Sequence, residues 1–333
     1  MPATEARWIT EADVVAAIDL NRSVAAVRHA LVREHAGTAS TLAKTATGFG
    51  DHGTLHALGG TGVATDDGEL VGTKSWAHTP GGATPLVVLW DAGTGALVAV
   101  IEAFALGQLR TAAVSAVATD ALAAPDASVF AMIGTGKQAL PQVAAVASQR
   151  SLTEVRVFSP TAAHRAAFGV LVAERLPDVK VVDCTDLRTA ADGADIVTTA
   201  TRSRTSILDA ALVGPDAHVN ALGSITNDRR ELDDSIVAAA RVVVSDSPDA
   251  ARALSSEFDH AADVVALSAV VAGQPTSPRG GGPSVFKAMG LGLADVALAA
   301  SVLATARVTG AGRPIPAPTR AAPILFSSME APT

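Results

Sequence analysis

Cysteine is almost absent from this 333-residue chain, with Cys184 as its single thiol. One cysteine cannot build an intramolecular disulfide framework or a cysteine-based zinc centre, so no metal site is expected and a reducing, cytoplasmic setting is. Basic clusters are missing too. The longest basic run is Arg229-Arg230, and 25 Lys and Arg against 33 Asp and Glu leave a formal net charge of −8. Nucleic-acid binding needs concentrated cations to neutralise phosphates, so no nucleic-acid partner is expected. Long apolar runs are also lacking. Glu102, Asp263 and Asp295 interrupt the most apolar windows before any reaches the roughly 20 residues of a membrane span. The first seven residues show no basic segment leading into an apolar one, so neither a targeting segment nor a membrane partner is expected.

What is present is core-forming material. Hydrophobic residues make up 49% of the chain and charged residues 17%, which excludes a disordered protein and, at this length, favours two domains. The first 37 residues read as helical: Thr10 and Asp13 have capping spacing, Val24, Val27 and Leu31 recur on one face, and Gly37 is a stop signal. Residues 40–102 are dense in glycine between short apolar runs, with a hairpin signal at 91–95, and predict a partly antiparallel sheet. An Ala-rich helix is expected to open at Arg110 and end at Leu122. Strand signals then alternate with helical ones at 128–133, 155–159, 179–182, 195–199, 218–222 and 241–245. Six Val/Ile-rich strands with crossovers predict an α/β fold, a doubly wound parallel sheet. The segment 291–307 reads as an apolar helix followed by an extended proline-rich run at 313–318.

The strongest local motif is Gly134-Thr135-Gly136-Lys137-Gln138-Ala139, directly after an apolar strand and directly before a helix. The first glycine permits a tight turn, the second lets backbone approach a pyrophosphate, and Ala139 lets helix and strand pack closely. The helix N-terminus adds free N–H groups for the phosphates. The second strand ends in Phe158-Ser159-Pro160-Thr161, without the carboxylate that binds a ribose 2′-hydroxyl. Ser159, Thr161 and Arg165 could instead receive a 2′-phosphate, which favours NADP(H) and leaves NAD(H) open. Thr199, Ala200 and Thr201 after the fourth strand, and Leu222 and Gly223 after the fifth, are expected to line the nicotinamide half.

Three stretches carry a family resemblance. Arg110-Thr111-Ala112-Ala113-Val114-Ser115-Ala116 resembles the R-T-A-A-x-S-A helix of the ornithine cyclodeaminase/mu-crystallin family. The Gly134 turn is similar to that family's G-x-G-x-Q-A turn, and Val285-Phe286-Lys287-Ala288-Met289-Gly290 to its late F-K-x-x-G stretch. The resemblance implies a Rossmann domain (113–301) and a substrate-binding, homodimer-forming domain (1–112 with 302–333). It implies NAD(P)(H)-dependent interconversion of amines and imines beside a carboxylate, with a small imine, oxo acid or amino acid as substrate. It places Lys74 at the reacting C–N unit, Arg110 and Lys44 on the carboxylate, and Thr111 at the cofactor. This chain departs from the family pattern in having lysine at position 44 and Leu55-His56-Ala57 where an M-P pair is expected. Ile225 stands where cyclodeaminases carry an aspartate, which disfavours that alternative; a non-catalytic nucleotide-binding protein of crystallin type is a further one.

Lys74, or a water that it orients, would protonate the imine. Crowding of Lys44, Lys74 and Arg110 should depress the lysine pKa values. Each residue also has a plainer reading: Lys44 as a surface cation, Arg110 as an exposed helix residue, His56 and His78 as loop histidines. By the same measure Lys287 reads as a helix-start residue, Cys184 as a buried apolar side chain, and residues 231–234 as an acidic helix start. The glycine-rich stretch 59–68 and the segment 79–84 are expected to shape the substrate pocket.

Overall fold

The computed structural model describes residues 5–258, 263–274, 281–316 and 318–323, together with Leu325. Ala317 of the proline-rich run and residues 326–333 of the expected second domain lie outside the described residues.

The N-terminal region opens with a strand, β1 (Arg7–Ile9), where only helix was expected. Helices α1 (Glu11–Ala17) and α2 (Leu20–His35) follow. Thr10 and Asp13 form a reciprocal capping box at α1, and Gly37 takes φ +72° just beyond α2. Strands β2 (Ser40–Phe49), β3 (Gly53–Thr65), β4 (Gly68–Thr79), β5 (Gly82–Ala83), β6 (Leu86–Asp91) and β7 (Leu97–Glu102) make an antiparallel meander. Asp91 closes the β6–β7 turn by accepting from both the amide and the hydroxyl of Thr94.

Helix α3 (Phe104–Leu122) starts two turns earlier than expected, so Arg110 lies inside the helix rather than opening it. Its alanines let α3 pack closely on several sides, and the expected domain boundary at 112/113 falls within it. The parallel sheet then builds through β8 (Val129–Ile133), α4 (Ala139–Ala147), β9 (Glu154–Phe158), α5 (Ala162–Arg175), β10 (Lys180–Cys184), α6 (Leu187–Ala191) and β11 (Ile196–Thr199). It continues through β12 (His218–Ala221), α7 (Asp234–Ala239), β13 (Val242–Ser245), α8 (Pro248–Leu254), β14 (Val264–Ala266), α9 (Leu267–Val271) and β15 (Ser284–Lys287). The strand order is β10-β9-β8-β11-β12-β15-β13-β14, with every pair parallel. The order reverses between β8 and β11, the position at which open α/β sheets bind ligands. Two of the eight strands, β14 and β15, were not anticipated. Lys287 accordingly ends a strand; it does not begin a helix.

Helix α10 (Gly292–Thr309) returns the chain to the first sheet, and β16 (Arg313–Pro314) pairs antiparallel with β1. Length and composition would let α10 cross a membrane, yet 67% of it is buried inside the protein. Its approach to the sheet explains part of the glycine-rich stretch. A Cβ on Gly60 would lie 2.6 Å from the Cα of Leu293, and one on Gly292 would lie 2.3 Å from the carbonyl oxygen of Gly59. Gly60 and Gly292 thus serve helix–sheet contact, whereas a Cβ on Gly59 would strike the Gly72 carbonyl oxygen on β4 at 2.3 Å. That contact fixes where the first turn of α10 points.

Candidate active site

Lys74 sits on β4 with its side chain buried. Its Nζ donates to Asp295 Oδ1 at 2.8 Å, and Asp295, on the first turn of α10, is fully buried. Helix α3 passes so close that a Cβ on Gly107 would stand 3.0 Å from Nζ. Arg110, one turn further along α3, forms an ion pair with the other oxygen of Asp295 at 3.4 Å. One carboxylate therefore faces two cations from two different elements. Both Nη atoms of Arg110 lie 3.9 Å from where a Cβ on Gly290 would be. No protein acceptor takes them among the described residues, which leaves a planar fork free for a ligand carboxylate.

Lys44 joins this group through a break in the β2–β3 register, where β2 carries one extra residue between Leu42 and Thr45. Such bulges re-aim side chains beside functional sites. Burial, reinforced by the Arg110 charge, holds the Lys44 ammonium below the ordinary lysine range, while Asp246 and Asp295 oppose that shift. Of the cations expected to crowd one another, Arg110 acts on Lys44, second to burial. Asp246, just past β13, is buried and accepts from the amides of Met289 and Gly290 at 2.7 and 3.1 Å. Burial pushes its carboxyl above the usual range, against the pull of those amides and Arg110. Neither Asp246 nor Asp295 was singled out from sequence. His56 stacks on Trp76 beside Lys74, whereas His78 is exposed at the far end of β4.

The Gly134 turn has the form that a dinucleotide needs. Gly134 adopts φ +105°, and a Cβ there would meet the Ala200 carbonyl oxygen at 2.7 Å. A Cβ on Gly136 would instead enter open space, the room that a pyrophosphate requires. Gln138 precedes α4 without a side-chain cap, and Ala139, at the first position of the helix, is fully buried. The first amides of α4 therefore remain uncapped by side chains, and the residues present fit a dinucleotide.

Several expected cofactor side chains are otherwise engaged. The Thr111 hydroxyl donates within α3 to the Gly107 carbonyl at 3.0 Å. Arg165 is buried: its Nε donates to Asp183 at 2.6 Å and Nη1 to the Ser159 carbonyl at 2.8 Å. It braces the end of β9 and is not an open cation for a 2′-phosphate. Ser159 is buried, whereas Thr161, which makes no side-chain cap bond to α5, is exposed.

Thr199 and Thr201 are tied to a residue that sequence reasoning misread. Glu231 is fully buried, and only Asp233 and Asp234 of the acidic run serve α7. One oxygen of Glu231 accepts from the amide and hydroxyl of Thr201 at 2.6 and 2.7 Å. The other accepts from the Thr199 hydroxyl at 3.0 Å and the Gly223 amide at 2.6 Å. A single carboxylate thus pins the loops after β11 and β12, with Ala200 and Leu222 held between them. Glu257 accepts in turn from the amides of Glu231 and Leu232 and from the buried ammonium of Lys287. Asp228, near Ile225, turns outward to Thr226, Arg204 and Arg229. Cys184 is buried, and burial pushes its thiol pKa up.

The sequence profile of the ornithine cyclodeaminase/mu-crystallin family matches residues 5–309. The chain is 34% identical over 215 residues to the ketimine reductase mu-crystallin of Mus musculus, an alignment covering 64% of this chain and 66% of the mouse protein. It is 30% identical over 240 residues to a Delta(1)-pyrroline-2-carboxylate reductase of Bacillus cereus, covering 69% of this chain and 73% of that one. An archaeal alanine dehydrogenase dimer with bound NAD superposes with a TM-score of 0.84 at 26% identity, over 94% of this chain and 99% of the other. With profile, fold and the Arg110 and Gly134 motifs in agreement, this chain belongs to the ornithine cyclodeaminase/mu-crystallin family.

Proposed function

We propose that the protein is an NAD(P)H-dependent reductase of imines that carry a carboxylate on the imine carbon, or runs the reverse amino-acid dehydrogenation. The observation that carries this reading is the Lys74–Asp295–Arg110 cluster, in a chain that also carries an open Gly134 turn. The relatives named above as reductases and a dehydrogenase of such compounds support it.

The bound cofactor supplies the hydride. The Arg110 fork and the Lys44 ammonium hold the substrate carboxylate, which fixes the position of the neighbouring carbon. Lys74 then lies beside the nitrogen. Its ammonium has three donors and gives one to Asp295, so another can pass a proton to the imine. Once neutral, Lys74 would leave Asp295 buried and less compensated, and this restores the proton from solvent. In the oxidative direction the same Nζ accepts the amine proton.

With Arg165 committed to Asp183, recognition of a 2′-phosphate rests on Ser159 and Thr161. NADP(H) therefore remains a candidate beside NAD(H), without a free cation to impose it. Leu42, Phe49 and Leu55 stay exposed on β2 and β3, and pairing of two copies through that face would cover them. Sedimentation at the single-chain mass of 33.4 kDa would refute the homodimer.

The test is steady-state oxidation of NADH and NADPH with cyclic ketimine carboxylates, and with 2-oxo acids plus ammonia or methylamine. Lys74→Met should lower kcat by roughly 100-fold or more while nucleotide still binds. Oxo-acid reduction that needs no nitrogen donor would refute the imine reading. Tight nucleotide binding with no turnover of any substrate would favour a binding protein.

A further inference from the structure

We propose that Lys44 and His56 form a second carboxylate-binding site beside Lys74, so that the preferred substrate is the imine of a short 2-oxo diacid. This deepens the reductase reading and rests on it.

His56 on β3 stands opposite Trp76 on β4 in the strand register. The two rings stack with centroids 4.7 Å apart and planes inclined by 16°. The Lys74 ammonium lies 5.6 Å from the centre of the same indole. Trp76 is therefore the spacer that sets His56 at a fixed distance from the reacting centre. With the imidazole on one face of the indole and the ammonium near the ring, little of its π surface remains for a substrate ring.

Among the described residues, the groups without a protein partner here are nitrogens. His56 Nδ1 is buried and has no hydrogen-bond partner. The Lys44 ammonium, aimed inward by the β2 bulge, makes no ion pair with a carboxylate among the described residues. His78 follows on the same side of β4, since alternate residues share a face. Burial first, then the charges of Lys44 and His78, hold the His56 imidazole below the ordinary histidine range, so His56 lies within the field of both.

Three kinds of substrate side chain can be weighed against this wall. An apolar one would leave the buried His56 nitrogen unpaired. An ammonium would meet Lys44 as a like charge, which also disfavours a diamino-acid substrate. A carboxylate would accept from both His56 and Lys44. The α-carboxylate retains the Arg110 fork, and Lys44 with three N–H donors can serve both ends.

The experiment compares kcat/KM for NAD(P)H-dependent reductive amination of oxaloacetate and 2-oxoglutarate with that of pyruvate and 2-oxobutyrate at equal ammonia. Wild type should favour a diacid by roughly tenfold or more, with the difference residing in KM. His56→Leu should bring that ratio close to one, and His56→Gln, which keeps a donor, should retain part of it. A wild-type preference for monoacids, or a diacid preference that His56→Leu leaves in place, overturns the proposal while the reductase reading stands. Failure of both classes and of cyclic ketimine carboxylates overturns the reductase reading and this proposal with it.

Discussion

Lys74 and Asp295 are separated by 221 positions in sequence and by 2.8 Å in space. One comes from the middle of the first sheet and the other from the last long helix. Their meeting depends on Gly60 and Gly292, which let α10 lie against β3.

Replacing Asp295 by Asn removes the shared counter-charge of Lys74 and Arg110. Breaking a buried ion pair by removing one partner costs about 3–5 kcal/mol. Chemical denaturation should register a loss of that order, and kcat should fall by roughly tenfold to 100-fold. A variant with wild-type kcat would remove Asp295 from the machinery.

Glu231→Gln tests the clamp behind the cofactor-facing loops. Each carboxylate oxygen accepts from one backbone N–H, that of Thr201 or of Gly223. A glutamine in either orientation turns its NH2 toward one of those donors. The expected cost is about 1–3 kcal/mol of stability, together with weaker nucleotide binding by calorimetry. The KM for substrate at saturating nucleotide should move little, and an equal rise in both would argue against a role on the nucleotide side.

His218 gives the fold an acid-side weakness. Its ring is fully buried, 3.0 Å from both Ser284 Oγ and Asn220 Oδ1, and burial pushes its pKa down to about 3. The unfolded chain binds a proton near pH 6.5 that the folded chain refuses. Stability present above pH 6.5 is therefore lost as pH falls towards 3, at about 1.4 kcal/mol per unit. Urea unfolding at pH 7 and pH 5 should show wild type losing about 2 kcal/mol more than His218→Gln does. Parallel pH profiles for the two proteins would exclude His218 as the cause.

The sequence is most legible where structure is local. The Gly134 turn, the Thr10 capping box and the Asp91 hairpin each depend on residues a few positions apart, and all three form. Lys74, Arg110 and Lys44 are readable through the family resemblance, and the structure brings them together around Asp295. Asp295 itself is not readable: a lone carboxylate in an apolar helix carries no local sign of a partner in a distant strand. Glu231 is misread because it stands directly before a true helix start at Asp233 and Asp234, whereas its own partners lie 8 to 32 residues away in sequence. Arg165 looks like a phosphate ligand only until Asp183, on the adjacent strand, is seen to hold it. The Lys44 bulge and the Trp76–His56 stack arise from strand register, which composition does not reveal.

The placement of Asp295 on α10 has a consequence for how the enzyme comes into being. A nascent polypeptide holding only the meander and the parallel sheet presents Lys74 and Arg110 as two unneutralised charges in a gap where α10 belongs. Until α10 has docked, the two cations lack the carboxylate that they share. The proposed chemistry therefore requires α10, and a product that stops short of Asp295 is expected to be inert.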